Sequence, residues 1–426
     1  MDSARTSASP PTTSPSAKVG PWQSRNYRLQ IVGAVISVLG TSAAPVAMAF
    51  AILDAGGSGT AVGLVSASGT LPAVLFFVIG GVVADRLPRH LVIVGANLVS
   101  AVAQSLFALV VFTHSVQVWQ LMLFAGVNGL AIAFRMPATE GLLMRSVDRA
   151  YANKAFAIFR TSLNCAQVAG AALGGVLVAA FGPGWVLALD AATFLIVGVL
   201  AATMRVEGRL RKRVGLVIEL REGWSEFVGR RWLWSVVAQS AVVNALGVGA
   251  FAVLGALASG RQLGGARDWG FILSCDAIGM ILGGLLMVRL RPRRLLVTGT
   301  SAAALLVLPL AAFAAGAPLP VICAASLFAG VGVEIFSVNW MTTIRQEVPH
   351  EKFSRVAAYE ALGSFGITPL GAALAGPAAD RFGLDRTLWA ATGAILAATA
   401  VVLAVPDVRR MRRAPEDDTA GGGGPR

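Results

Sequence analysis

The chain has 426 residues, of which 56% are hydrophobic and only 13% charged, and its formal net charge is +13. A soluble domain carries about 25% charged residues, so a chain this apolar cannot cover its own surface with polar groups, and the bilayer must solvate most of it. The basic excess does not point to nucleic acid, because Lys and Arg sit in connections between apolar stretches instead of forming one basic stripe.

Residues 1–25 are rich in Ser, Thr, Pro and Ala and lack an apolar core. They read as a disordered cytoplasmic tail with no cleavable signal peptide, which leaves the first span to act as the targeting signal. Apolar spans then follow at 27–51, 60–84, 91–113, 118–138, 155–181, 184–204, 232–257, 269–290, 294–314, 318–341, 354–379 and 387–405. A crossing helix needs about 20 apolar residues. The expected fold is therefore an all-α membrane protein of twelve transmembrane helices. The predicted units are a six-helix half at 26–204, a cytoplasmic linker at 205–231, a second six-helix half at 232–405 and a disordered cytoplasmic tail at 406–426.

Thirty of the 35 Lys and Arg fall in the two tails, in every second connection between spans, or at the span ends that border them. The other connections hold only Arg261, Arg267, Arg381 and Arg386, and Arg160 lies inside the fifth span. Cytoplasmic loops carry the Lys/Arg excess, so both termini are expected in the cytoplasm of a multi-pass cell-membrane protein. Within the linker, the basic run at 209–213 precedes Leu216, Leu220, Trp224 and Phe227 at helical spacing. This predicts an amphipathic helix on the inner leaflet.

Two internal repeats predict that the halves are related. GAALGGVLVAAFG at 170–182 matches GAALAGPAADRFG at 371–383 in seven of thirteen positions, 201 residues apart. GGVVADRLPRHLVIVG from Gly80 resembles GGLLMVRLRPRRLLVTG from Gly283, 203 residues apart. Both offsets place equivalent spans six apart, as in two parallel six-helix halves about an axis normal to the membrane.

The connection between the second and third spans is the most informative. Gly80 and Gly81 permit close helix approach, and Asp85, Arg86 and Arg89 follow at the cytoplasmic boundary. A carboxylate there can pair with Arg or face a helix N-terminus of the other half in one conformation only. A charge cluster that merely sets topology is the alternative.

GGVVADRLPRH resembles the signature G-x-x-x-D-R-x-G-R-R of the major facilitator superfamily. Gly81, Asp85, Arg86 and Arg89 match, while Pro88 and His90 depart from the commonest form. The resemblance extends over about 27–408, and the stretches 134–200 and 340–383 are similar to the enterobactin-exporter-like branch, which includes siderophore exporters and macrolide-efflux-type pumps. It implies a secondary exporter of small amphipathic molecules that works by alternating access, with cargo, protons and the lipid bilayer as partners, no cofactor and a monomeric state. An uptake symporter, or a non-transporting sensor or scaffold, would share the sequence pattern. In the fifth span, exporters of this superfamily carry G-P-x-x-G-G; here Gly170, Gly174 and Gly175 keep the glycines and Ala171 replaces the proline.

Ionisable residues inside spans are costly and default to functional hypotheses. Asp276, Glu334 and Asp190 are candidates for proton coupling, with Arg160 and Arg135 as possible partners, since burial favours the neutral carboxyl. Asn128, Asn164, Gln167, Gln239, Asn244, Asn339 and Trp340 are candidates to line a cavity; helix–helix hydrogen bonding is their alternative role. No metal site is expected: His90, His114 and His350 stand apart, and Cys165, Cys275 and Cys323 lie in apolar segments. No phosphate-cradling G-x-x-x-x-G-K-[ST] sequence occurs, so neither enzymatic chemistry nor ATP is expected.

Overall fold

The computed structural model describes residues 21–147, 151–204, 225, 227–290, 292–348 and 353–413. Residues 1–20 and 414–426 of the expected tails, and 205–224 and 226 of the predicted linker, lie outside the described residues. The described parts of the tails depart from the expected disorder: Pro21–Gln23 forms a 3-10 turn, Arg25 opens the first helix, and Pro406–Arg410 is helical around the buried Val408. Phe227 of the linker is buried in one cluster with Trp232. Among the described residues the structure is helical, with no strand.

In chain order the first half contains α1 (Arg25–Asp54), α2 (Gly59–Leu75), α3 (Phe77–Arg86), α4 (Arg89–Phe112), α5 (Val118–Arg145), α6 (Ala152–Phe181) and α7 (Pro183–Ala202). The second half opens with α8 (Arg231–Val243), a π-helical segment (Asn244–Ala250) and α9 (Phe251–Gln262), which run as one long helix. Next come α10 (Ala266–Arg289) and α11 (Leu295–Ala303), the latter continuing through a 3-10 turn into α12 (Val307–Ala314). The chain then forms α13 (Leu319–Glu347), α14 (Phe353–Phe365), α15 (Thr368–Phe382), α16 (Leu384–Ala404) and the short α17 (Pro406–Arg410).

Ten helices among the described residues are long and apolar enough to cross a membrane, and α2 is a shorter apolar helix. Two of the expected spans are broken. The second divides into α2 and α3 at Phe76, four residues after Pro72, whose ring cannot donate to the helix ladder. The eleventh divides into α14 and α15 just before Pro369, which sits in the first turn of α15, where its missing N–H is no loss. Side chains as apolar as Val288 (77% exposed), Val401 (67%) and Trp185 (62%) cover the outside. A surface like this is stable against hydrocarbon and not against water.

Glycine sets the distances inside each half. In α13, a Cβ on Gly330 would collide with the Asp276 carbonyl of α10. In α5, a Cβ on Gly129 would collide with the Gly69 carbonyl of α2 in the same way. Without a driving force between apolar helices in lipid, such close backbone packing is what holds them.

Two seams join the halves. Gly376 of α15 meets the backbone of Gly59 and Thr60 at the start of α2, and a Cβ on Gly63 would lie 2.5 Å from the Ala372 carbonyl. Thr60 Oγ1 donates to Asp380 Oδ2 at 2.8 Å across this seam. At the other seam, a Cβ on Gly175 of α6 would lie 2.6 Å from the Ala266 carbonyl of α10, and one on Gly270 would lie 2.9 Å from the Ala171 carbonyl. Gly175 and Gly376 are equivalent positions of the internal repeat, and so are Ala171 and Ala372. The repeated sequence is thus the contact surface itself.

The equivalence is not uniform along the helices. Gly59 pairs with Ala266, and Gly69 with Asp276, at a separation of 207 residues, whereas Gly80 and Gly283 are 203 apart. The first half therefore holds about one extra helical turn between Gly69 and Gly80, which is the stretch containing Pro72 and the break at Phe76.

Not every glycine packs. Gly80 abuts the Ala133 carbonyl of α5, while a Cβ on Gly81 would meet only open space. Gly330→Leu should therefore overpack α10 against α13 and cost about 1–3 kcal/mol, read as a lowered thermal unfolding midpoint of the purified protein in detergent. Gly81→Ala should leave that midpoint unchanged.

Candidate functional site

In the first half, polar groups from four helices converge. Asp190 of α7 is only 1% exposed. Gln104 Nε2 of α4 donates to its Oδ2 at 2.6 Å, and Thr193 Oγ1, one turn along, donates to its backbone carbonyl at 2.7 Å. Gly40 of α1 makes room for the carboxylate, since a Cβ there would lie 2.5 Å from Oδ1. Arg135 of α5 donates from Nη1 to Ser37 Oγ at 2.7 Å and lies 5.0 Å over the Phe194 ring. Arg135 and Asp190 are electrostatic neighbours, so each charge has its counter-charge within the same half. A cavity of about 170 Å³ adjoins this network, lined by Gln30, Ser37, Arg135, Phe156, Phe159 and Arg160 among others.

Arg160 and Glu334 are brought together from opposite halves. Arg160 is exposed on α6, and its charge acts on Glu334 of α13. Glu334 lies against α10, where a Cβ on Gly284 would be 3.8 Å from its Oε1. Asp276 is half-buried on α10 and makes no hydrogen bond or ion pair among the described residues. It is the eleventh residue of a 24-residue helix, near the middle of its length.

A carboxylate that the sequence reading passes over completes the second half. Glu360 of α14 accepts on Oε1 from Trp340 Nε1 of α13 at 3.2 Å and from Ser364 Oγ at 3.2 Å. Asn244 Nδ2 donates to the Ser364 carbonyl at 3.0 Å. Asn244 opens the π-helical segment, a backbone irregularity frequent at functional sites. Trp340 in turn stacks on Phe336, with centroids 6.0 Å apart and planes at 12°, and meets the edge of Trp232 at 6.0 Å. The signal for Glu360 is simply a carboxylate within a predicted span. Its nearness to Lys352 and Arg355 in sequence disguises it as a boundary charge.

The other predicted residues divide in two. Gln239 is 2% exposed, and its Nε2 donates to Thr399 Oγ1 at 3.0 Å and the Thr300 carbonyl at 3.3 Å. Asn339 is 1% exposed and donates to the Ile335 carbonyl of its own helix at 2.8 Å. Both serve helix packing here and do not line an open cavity. Asn128 and Asn164 are half-buried and Gln167 is exposed.

In the signature loop, the Asp85 side chain lies outside the described residues, Arg86 is exposed, and the Arg89 guanidinium covers Gly141 of α5. In α6, a Cβ on Gly170 would lie 2.5 Å from the Leu39 carbonyl and one on Gly174 would lie 2.7 Å from Ala43 Cα, so both glycines seat α6 on α1. No group of three or more His, Cys, Asp or Glu among the described residues could hold a metal ion.

The family profile described as Major Facilitator Superfamily matches residues 31–367. The multidrug efflux pump Tap of Mycolicibacterium fortuitum is 25% identical, with 90% of this chain and 96% of the relative aligned. Macrolide efflux protein A of Streptococcus pyogenes is 22% identical, over 92% of this chain and 99% of the relative. Among solved structures, the nucleoside transporter NupG superposes with a TM-score of 0.72 at 13% identity, covering 89% of this chain and 98% of that one. A bacterial homologue of the human lysosomal transporter Spinster superposes at 0.67 with 16% identity, covering 93% and 99%.

The buried network around Asp190 gives a direct expectation. Asp190→Asn removes the charge that balances Arg135 and should destabilise the protein by about 1–3 kcal/mol. Adding Arg135→Gln should then cost less than it does in the native background. A double-mutant cycle on thermal unfolding in detergent measures that coupling.

Proposed function

The chain belongs to the major facilitator superfamily, and from that premise we propose that it is a proton-coupled exporter of small amphipathic drugs or antibiotics, working by alternating access. The observation that carries the direction of transport is end-to-end similarity to two proteins named as efflux pumps, which align over nine-tenths or more of both chains. The sequence has no phosphate-cradling motif, which favours an ion gradient over ATP as the energy source.

In this reading the ten long helices, with α2–α3 and α14–α15 taken as one crossing each, make twelve passes. The halves are 26–204 and 232–405, joined by the 205–231 linker. One chain carries both and works as a monomer. The Lys/Arg split puts both termini in the cytoplasm. With that orientation the two glycine seams lie on the outer side and close it, so this conformation opens toward the cytoplasm, where cargo for export is collected. Asp85, Arg86 and Arg89 are then at the inner mouth, placed to make the contact that forms only when that side shuts.

Protons enter the cycle through the carboxylates in the spans. Asp276, with no counter-charge among the described residues, and Glu334, facing Arg160 across the halves, are the proposed coupling groups. A charged carboxylate in hydrocarbon is costly, so each must be neutral or paired at every stage. Glu334 paired with Arg160 when the inner side closes, and protonated when it opens, satisfies that requirement. Asp190, with Arg135 held beside it, is the alternative relay.

Expression in a pump-deficient bacterial host should lower the accumulation of macrolides or dyes at least several-fold, and dissipating the proton gradient should abolish the difference. Unchanged accumulation across a broad antibiotic and dye panel would rule out export. In reconstituted vesicles, Glu334→Gln should abolish uphill transport while leaving downhill exchange measurable, and Asp276→Asn should displace the pH profile of transport. If both variants still concentrate cargo with the native pH profile, coupling lies elsewhere.

A further inference from the structure

The internal repeat diverges most sharply at one loop. Aligned on Gly80 and Gly283, Asp85 of the first half corresponds to Val288 of the second, and His90 corresponds to Arg294 once the extra Arg291 is allowed for. The first copy carries Asp85, Arg86 and Arg89. The second carries Arg289, Arg291, Arg293 and Arg294 with no carboxylate. Val288 is 77% exposed and Leu290 is 49% exposed, so the second loop also presents apolar surface. The switching contact read for Asp85 has no counterpart here.

The last described segment of the chain is fastened onto this loop. Val408 of α17 is fully buried in one cluster with Leu296 of α11, Ile344 of α13 and Trp232 of α8. Just beyond it, the Arg413 amide donates to the Arg293 carbonyl at 2.9 Å, and Gln346 Nε2 of α13 donates to the Arg412 carbonyl at 2.9 Å. The four arginines between 409 and 413 are thereby held beside Arg293, Arg294 and Arg345. None of these seven makes an ion pair among the described residues, and Arg413 Nη1 is buried there without a hydrogen-bond partner. The described carboxylates nearest in sequence pair with none of the group: Glu347 Oε1 accepts from Gln346, and Asp407 is exposed.

Gathering like charges costs energy through their mutual repulsion. Docking α17 needs only Val408. Arginines that merely set topology are read as the chain inserts and require no folded strap. Guanidinium groups bond phosphate oxygens in pairs, and roughly four to eight Lys or Arg beside a span form a headgroup site for anionic lipid. The apolar Val288 and Leu290, at the end of α10, are where acyl chains would begin.

We propose that the loop between α10 and α11, strapped by residues 406–413, binds the phosphate headgroup of an anionic phospholipid. Arg293, Arg294 and Arg413 hold the headgroup, and the acyl chains run along Val288 and Leu290. The bound lipid neutralises the cluster and so secures the α17 segment against the loop. The site acts whatever the cargo or its direction of travel.

The test is lipid binding to the purified full-length protein in detergent, counted by native mass spectrometry. Phosphatidylglycerol and phosphatidylcholine with the same acyl chains serve as probes. The native protein should hold phosphatidylglycerol about tenfold more tightly, and the preference should shrink as salt rises. Arg293→Gln with Arg294→Gln should abolish the preference and leave phosphatidylcholine unaffected, and Arg413→Gln alone should reduce it. Arg293→Lys with Arg294→Lys keeps the charge and should keep most of the preference. Arg25→Gln with Arg28→Gln removes two exposed charges from α1, at the same membrane surface on the proposed topology, and should change nothing. Elution volume and thermal midpoint establish that each variant is folded.

Equal affinity for the two lipids, or an equal loss in the α1 variant, would overturn the site. Inorganic phosphate bound as tightly as phosphatidylglycerol would identify an anion site that ignores the lipid, and would overturn it too. Glu416, Asp417 and Asp418 follow in the sequence as rival anions. Neutralising all three as Gln or Asn should leave the preference in place. A preference seen only in that variant would mean that the chain fills the site itself, and would overturn lipid as the occupant.

Discussion

The close approach of helix backbones through glycine is the constraint on which this structure rests. Within each half, Gly129 and Gly330 bring α5 against α2 and α13 against α10 at distances no other residue permits. Between the halves, Gly59, Gly376, Gly175 and Gly270 do the same. In hydrocarbon there is no water to expel from between two apolar surfaces, so dispersion contact at short range has to do what the hydrophobic effect does in soluble proteins. A helix that cannot come close gains little from coming near. The positions of the charged groups follow from this: Glu334 is set by the glycines of α10, and Asp190 fits only because Gly40 leaves it room.

Those charges show a second regularity. Three of the carboxylates within the spans are handled differently. The Asp190 carboxylate accepts from Gln104 and, at 3.4 Å, from Thr193 Oγ1, with Arg135 nearby. Glu334 depends on a cation from the opposite half, so its environment must alter whenever the halves move. Glu360 is held by neutral donors among aromatic rings.

Much of this was legible in the chain. The apolar helices and the relation between the two halves follow from hydropathy and the two repeats, because the bilayer imposes the length and apolarity of what crosses it. The repeat at 170–182 and 371–383 carried more than expected, since its glycines and alanines are the seam between the halves. What was not legible depends on packing direction. Gln239 and Asn339 look like cavity residues by type, but each points into its own bundle and bonds there. Glu360 looks like a boundary charge until α13 and the π-helical segment are brought against it. The breaks at Phe76 and before Pro369 were also hidden, because hydropathy continues through them while the hydrogen-bond ladder does not.

The seams are built from main-chain atoms and the smallest side chains, whereas the polar and charged groups within the spans lie away from them. Contact between the halves therefore makes no demand on the chemistry of the polar groups elsewhere in the spans. Selection can exchange side chains away from the seams without retuning the surface on which the halves meet. A mutation in the seam has the opposite character, altering the motion for every ligand alike. Lineages of such proteins should accordingly drift in what they carry far more readily than in how they move.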